Sequence, residues 1–183
     1  IDGQADLVEE VLRIIGLDAL PTTPFTRPDN MPAVALSAHQ RAMGDLKRAL
    51  AAEGMDEAVL WSFTSSEIAQ HFGWDRDSQS DLLLANPISA DLDVMRPSLL
   101  PNLIMAASRN NDRGYGDVAL FEAGLRFLST KPDGQVPTVG GVRMGSAHPR
   151  HWAGGARAVD AFDAKSDALA ALAAVGRPVD NLM

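Results

Sequence analysis

Leu7, Val8, Val11, Leu12, Ile14 and Ile15 cover most of the circumference of one helix near the start of the chain. Asp6 reads as its N-cap, Glu9 three positions on completes a capping box, and Gly16 suits the left-handed closing position. A helix this apolar expects packing on more than one side. The expectation is a domain cut through its middle. From Leu17 to Ala35, Pro21, Pro24, Pro28 and Pro32 recur too often for a helix or a sheet ladder, so this stretch reads as a stiff, extended linker.

Beyond the linker the pattern changes repeatedly. Ser37 and Gln40 open a second helix through Met43, Leu46 and Leu50 to Gly54. Asp56 to Phe63 has strand character, with Val59, Leu60, Trp61 and Phe63 dense enough for burial. Thr64-Ser65-Ser66-Glu67 reads as a capping box for a short helix that Gly73 ends. Leu82-Leu83-Leu84 reads as a short buried strand before the turn at Asn86-Pro87-Ile88-Ser89. Ser98 caps a helix carrying Leu99, Leu100, Leu103, Ile104 and Met105, with Pro101 tolerated in its first turn and an end near Gly114. Val118 to Leu128 and Val136 to Met144 read as strands joined by the Lys131-Pro132-Asp133-Gly134 turn, hence as an antiparallel pair. Asp163 to Gly176 is a final amphipathic helix with Leu169, Leu172 and Val175 on one face. Helices mixed with an antiparallel pair, without regular strand-helix-strand alternation, give an α+β fold. Its sheet is expected to be incomplete.

Composition narrows the function. The 183 residues allow one main core, and 24 acidic against 16 basic residues argue against a module that grips nucleic acid through a broad basic face. The absence of cysteine excludes a disulfide framework, thiolate zinc and a cysteine nucleophile. No apolar run is long enough to span a bilayer, and the first residues do not resemble a signal peptide. The chain reads as cytoplasmic, with no membrane partner.

Several clusters could carry chemistry. Asp6, Glu9 and Glu10 place three carboxylates in little more than one helical turn, a donor set that suits magnesium or calcium. Capping and favourable charge at the positive end of a helix account for the same residues, and from the residues alone that reading is preferred. His148 and His151, with Trp152, lie in a loop without enough ligands for zinc. His39 and His71 have no serine or carboxylate arrangement around them that would make a triad. Gly140-Gly141 and Gly154-Gly155 match no phosphate-cradling loop; within a strand such glycines allow close backbone approach or a bulge. Arg96, Arg109, Arg113 and Arg126 could meet an anion, but their spacing specifies no site.

Three stretches together resemble the bacterial phenylalanyl-tRNA synthetase beta subunit family. The first runs from Asp6 to Asp18 with Pro21-Thr22-Thr23. The second is Asn86-Pro87-Ile88-Ser89, Met95-Arg96-Pro97-Ser98-Leu99-Leu100-Pro101-Asn102-Leu103 and Phe121-Glu122-Ala123-Gly124. The third is Val159 to Asp167. The resemblance implies that residues 1–20 end a small winged-helix-like domain, 21–35 link, and 36–183 form a class II aminoacyl-tRNA synthetase-like core, an antiparallel sheet flanked by helices and truncated at its C-terminal end. It implies that this core is non-catalytic, that ATP and phenylalanine bind the alpha subunit, and that the partners are that subunit in an α2β2 heterotetramer and tRNA(Phe) through the intact complex. It also implies that Asp6, Glu9 and Glu10 are magnesium ligands shared with the alpha subunit, in a site incomplete in this stretch. Leu17, Asn102, Ala161 and Ser166 depart from the family pattern, where tyrosine, glycine, an aromatic residue and glycine are common. Arg126 lies on a strand where an active class II enzyme would use an arginine for ATP, without the acidic and aromatic partners. The competing expectation is a free-standing class II-like enzyme or amino-acid-binding paralogue.

Overall fold

The computed structural model describes residues 2–24, 34–148 and 151–180. The chain divides into two compact units, Ile1–Ala35 and Leu36–Met183.

The first unit is helix α1, Gln4–Ile15, followed by a 3-10 turn at Leu17–Ala19. The helix begins two residues before the expected start. Gly3, in extended conformation, is the N-cap, and Asp6 sits one turn inside, where its carboxylate accepts the amide hydrogens of Asp2 at 2.8 Å and Gly3 at 3.3 Å. A glycine cap has no side chain to offer, so the acid three positions on reaches back in its place; Asp6 is therefore not the N-cap, and the box expected with Glu9 is not formed. At the other end Gly16 has φ 96° and its amide donates to Leu12 O at 2.8 Å, as a closing glycine should. Of the extended linker, Leu17–Ala19 is the turn just named, and residues 25–33 lie outside the described ones.

The second unit is α+β. Its helices are α2 (Ala38–Ala52), α3 (Ser66–Gln70), α4 (Leu100–Asp112) and α5 (Ala161–Ala174); its strands are β1 (Asp56–Glu57), β2 (Phe63–Thr64), β3 (Val94–Met95), β4 (Val118–Phe127) and β5 (Gln135–Met144). One sheet has the order β1-β4-β5 and a second pairs β2 with β3. β4 and β5 pair antiparallel without interruption from Val118↔Met144 to Phe127↔Gln135, while β1 pairs parallel to β4, so the sheet is mixed rather than wholly antiparallel. A parallel neighbour is possible because the long excursion through β2, α3, β3 and α4 separates β1 from β4 in sequence.

Four local expectations need correction. The strand expected over Asp56 to Phe63 is two short strands in different sheets. Between them the Trp61 carbonyl accepts from Arg96 Nη1 and Asn102 Nδ2, so side chains take the place of a ladder. Leu82-Leu83-Leu84 is not a strand: Ser80–Leu82 is one 3-10 turn that buries Leu82, and only Leu83 bridges to Val94. The helix expected from Thr64 is capped one residue later by Ser65, whose hydroxyl accepts from Ile68 N. The last helix starts at Ala161, with Asp160 accepting from the amides of Phe162 and Asp163.

Two faces of the β4–β5 hairpin are covered differently. On one, Phe121 joins Leu46, Leu50, Met55 and Ala171 in a core under α2 and α5. On the other, α4 packs against both strands. Arg143 of β5 fixes the first layer: it forks onto Asp167 of α5 at 2.6 and 2.8 Å and donates to Glu53 O at the end of α2. The Asp167 carboxylate raises the Arg143 guanidinium above its ordinary value and keeps it charged. Trp74, Leu82, Val94, Ala69 and Phe127 make a second core around β2–β3.

Candidate functional site

The buried polar centre of the second unit lies beneath α4. Arg96 and Glu122 come from the two halves of one sequence stretch, separated by a loop and a helix, and the fold brings them face to face. Arg96 Nη1 and Nη2 donate to the two Glu122 oxygens at 2.9 and 2.8 Å, and the side chains are 2% and 6% exposed. Arg96 Nε donates to Leu125 O at 2.9 Å. Asn102, at the start of α4, donates to Trp61 O at 2.7 Å and Phe63 O at 3.0 Å. That explains a residue that departs from the common glycine: its amide holds the 61–63 segment beside the sheet.

This network fills the face. A Cβ at Gly124 would lie 2.7 Å from Arg96 Nη2, and one at Gly140 would lie 3.2 Å from Leu99 Cβ. The Gly140-Gly141 pair thus serves close approach with the ladder unbroken, and no bulge forms. Of the other arginines, Arg109 and Arg113 are exposed at the end of α4, and Arg126 is half-buried on β4. In the sequence Arg96 looks like these three, because nothing in its immediate neighbours dictates burial. A local signal for it is a charged residue set between Met95 and Pro97, with Glu122 set between Phe121 and Ala123 in a mostly apolar strand.

The remaining candidates stay apart. His39 lies in the first turn of α2 and His71 caps the end of α3, both exposed. His151 Nδ1 accepts from Ala153 N at 3.2 Å, Trp152 is fully exposed, and residues 149–150 of that loop lie outside the described ones. An open apolar cleft runs between α2, α5 and β5, lined by Met43, Leu46, Leu50, Phe121, Leu172 and Val175. Its charged wall, Arg143 with Asp167, is already mutually satisfied.

In the first unit Asp6 and Glu10 are one helical spacing apart on α1, with Glu9 beside them. Asp6 is engaged by backbone amides, and Glu10 pairs with Arg13 at 2.7 Å. Among the described residues no group of three or more histidine, aspartate or glutamate side chains is placed to hold a metal ion. The donor chemistry suits magnesium, which commonly takes one or two carboxylates and completes its shell with water. Three carboxylates of this chain do not form a closed set.

The family profile described as the phenylalanyl tRNA synthetase beta chain CLM domain matches residues 20–181. The chain belongs to the phenylalanyl-tRNA synthetase beta chain family. It is 50% identical over 182 residues to the phenylalanine–tRNA ligase beta subunit of Rhodospirillum rubrum, and 51% identical over 182 residues to that of Paramagnetospirillum magneticum. Each match covers 100% of this chain and 22% of the relative, so the chain spans about a fifth of the length of these beta subunits. Among solved structures, a pyrrolysyl tRNA synthetase from Desulfitobacterium hafniense matches with a TM-score of 0.54 and 17% identity, over 96% of this chain and 52% of that one. At that identity the likeness is one of fold: a small sheet flanked by helices. No helix among the described residues is long and apolar enough to cross a membrane.

Proposed function

We propose that this chain is a structural, non-catalytic part of a phenylalanine–tRNA ligase beta subunit, supporting ATP-dependent attachment of phenylalanine to tRNA(Phe) by the alpha subunit in the cytoplasm. The observation that carries the reading is whole-chain identity near half to named beta subunits. The interior supports it physically. One face of the hairpin is covered by α4, and the guanidinium buried there is already paired with Glu122. Arg126 has no hydrogen-bonding side-chain partner among the described residues that would make it part of a phosphate site.

Residues 1–20, in this reading, end a small winged-helix-like domain. The exposed apolar side chains of α1, including Leu7, Val11 and Ile14, then belong against the rest of that domain or the alpha subunit. Asp6, Glu9 and Glu10 would supply part of the oxygen shell of a magnesium ion completed by water and by residues of other segments or of the alpha subunit; ATP belongs to the alpha subunit. The ion would supply charge neutralisation where the two subunits meet. This chain's carboxylates would orient on it, and Asp6 would exchange or share its backbone donors.

The test is association. Full-length beta subunit mixed with purified alpha subunit should elute as a larger complex on size exclusion, and an α2β2 mass by light scattering is the expected stoichiometry. Two chains that elute separately at micromolar concentration would overturn the proposal.

A further inference from the structure

The Arg96 guanidinium has anchors besides Glu122. Nε is held by Leu125 O at 2.9 Å and Nη1 by Trp61 O at 3.2 Å. Its backbone is fixed on both sides, with the amide donating to Ser62 O at 3.0 Å and the carbonyl accepting from Phe127 N at 2.9 Å. These anchors come from β4 and from the segment before β2. They aim the outer edge of the guanidinium at one place, and the Glu122 carboxylate fills it with two nearly equal bonds. Gly124 makes the room, since a Cβ there would also lie 3.0 Å from Glu122 Oε1. A rigid, buried guanidinium fork presented to a planar group is the chemistry of a carboxylate site.

We infer that Glu122 is an internal ligand: its carboxylate occupies a preorganised carboxylate site on Arg96, and once that group is removed the site takes a small carboxylate from solution. The inference rests on the non-catalytic reading above and deepens it, because an occupied fork leaves this face nothing to offer an external anion. The physical drive is the cost of a buried, uncompensated guanidinium, which any anion of suitable shape relieves. Formate fits the bidentate geometry and the space left by a glutamate side chain cut back to alanine. Chloride brings the same charge without the two parallel acceptors.

The experiment is thermal unfolding of the full-length protein carrying Glu122→Ala, in sodium formate and in sodium chloride at equal ionic strength. The variant should melt well below the parent. Rising formate should then restore at least half of the lost Tm along a saturating curve, by mass action on the folded state, with chloride restoring much less. The parent, and an Arg96→Met/Glu122→Leu double variant, should respond alike to both salts. Equal recovery in the two salts, or a formate response that persists in the double variant, would overturn the inference. Should Glu122→Ala fail to fold in chloride, refolding yield becomes the readout: formate-dependent yield supports the internal ligand, and equally low yield in both salts refutes it. Neither result touches subunit association, so the family-based reading stands or falls separately.

Discussion

Adding one methyl group at Gly140 and at its neighbour Gly141 should have different consequences, because the two positions face different layers. At Gly140 a Cβ would sit 3.2 Å from Leu99 Cβ and 3.4 Å from Leu103 Cδ1. Both belong to buried residues, and Leu99 Cβ is bonded directly to the main chain, so relief requires α4 to shift. At Gly141 the nearest atom, at 3.0 Å, is Met55 Cε, the far end of a flexible side chain. Overpacking a rigid core site costs about 1–3 kcal/mol, against which replacing glycine by alanine in a permitted backbone conformation returns about 0.4–1 kcal/mol through the unfolded chain. Gly140→Ala should therefore lose about 1–2 kcal/mol, whereas Gly141→Ala, meeting only the flexible end of Met55 at that distance, should change stability by less than about 0.5 kcal/mol. Urea unfolding of both variants, with the slope checked for constancy, measures the difference directly. Equal losses, or the larger loss at Gly141, would refute the assignment of α4 and Met55 to opposite faces of β5.

The same layer supports a second contrast. Arg96→Met alone leaves the Glu122 carboxylate buried without its partner and should cost about 3–5 kcal/mol, whereas adding Glu122→Leu should recover most of that loss; a double variant no more stable than the single one would count against the pair as the source. Acid should weaken the start of α5. The Arg157 fork, with the Asp160 amide, holds the Asp163 carboxyl well below the usual carboxylate range. A carboxyl depressed in the folded state contributes stability that is complete above its unfolded value, near about pH 4, and is lost as pH falls below that towards the folded value. Asp163→Asn should flatten this acid limb in thermal melts between neutral pH and strong acid, and an unchanged limb would refute the assignment.

Much of the architecture was legible because local signals agree with the fold. Ser37 and Gln40 announce α2, and both hydrogen bonds of their capping box are formed. The Lys131–Gly134 turn announces the β4–β5 hairpin, whose register follows. Failures occur where tertiary contacts outweigh local pattern. The apolar run Val59 to Trp61 carries no ladder, and the Trp61 carbonyl is claimed instead by Arg96 and Asn102, residues distant in sequence. Three leucines at 82–84 look the same whether one is buried by a 3-10 turn or all by a strand. Asp6 looks like a cap because aspartate is a good one; a glycine cap with an acid reaching back uses the same residues one turn out of step. The Arg96–Glu122 pair was least visible of all. Both partners lay within one family-like stretch, yet only folding sets residues 26 positions apart against each other.

A beta chain that supports catalysis without performing it can be recognised by phenylalanine-dependent exchange of pyrophosphate into ATP. Full-length beta subunit, alpha subunit and their mixture should be assayed at equal concentrations with magnesium. The beta subunit alone should give no exchange above background, and the mixture should give strong exchange. Robust exchange by the beta subunit alone, abolished by substitution within this chain's core, would contradict that supporting role.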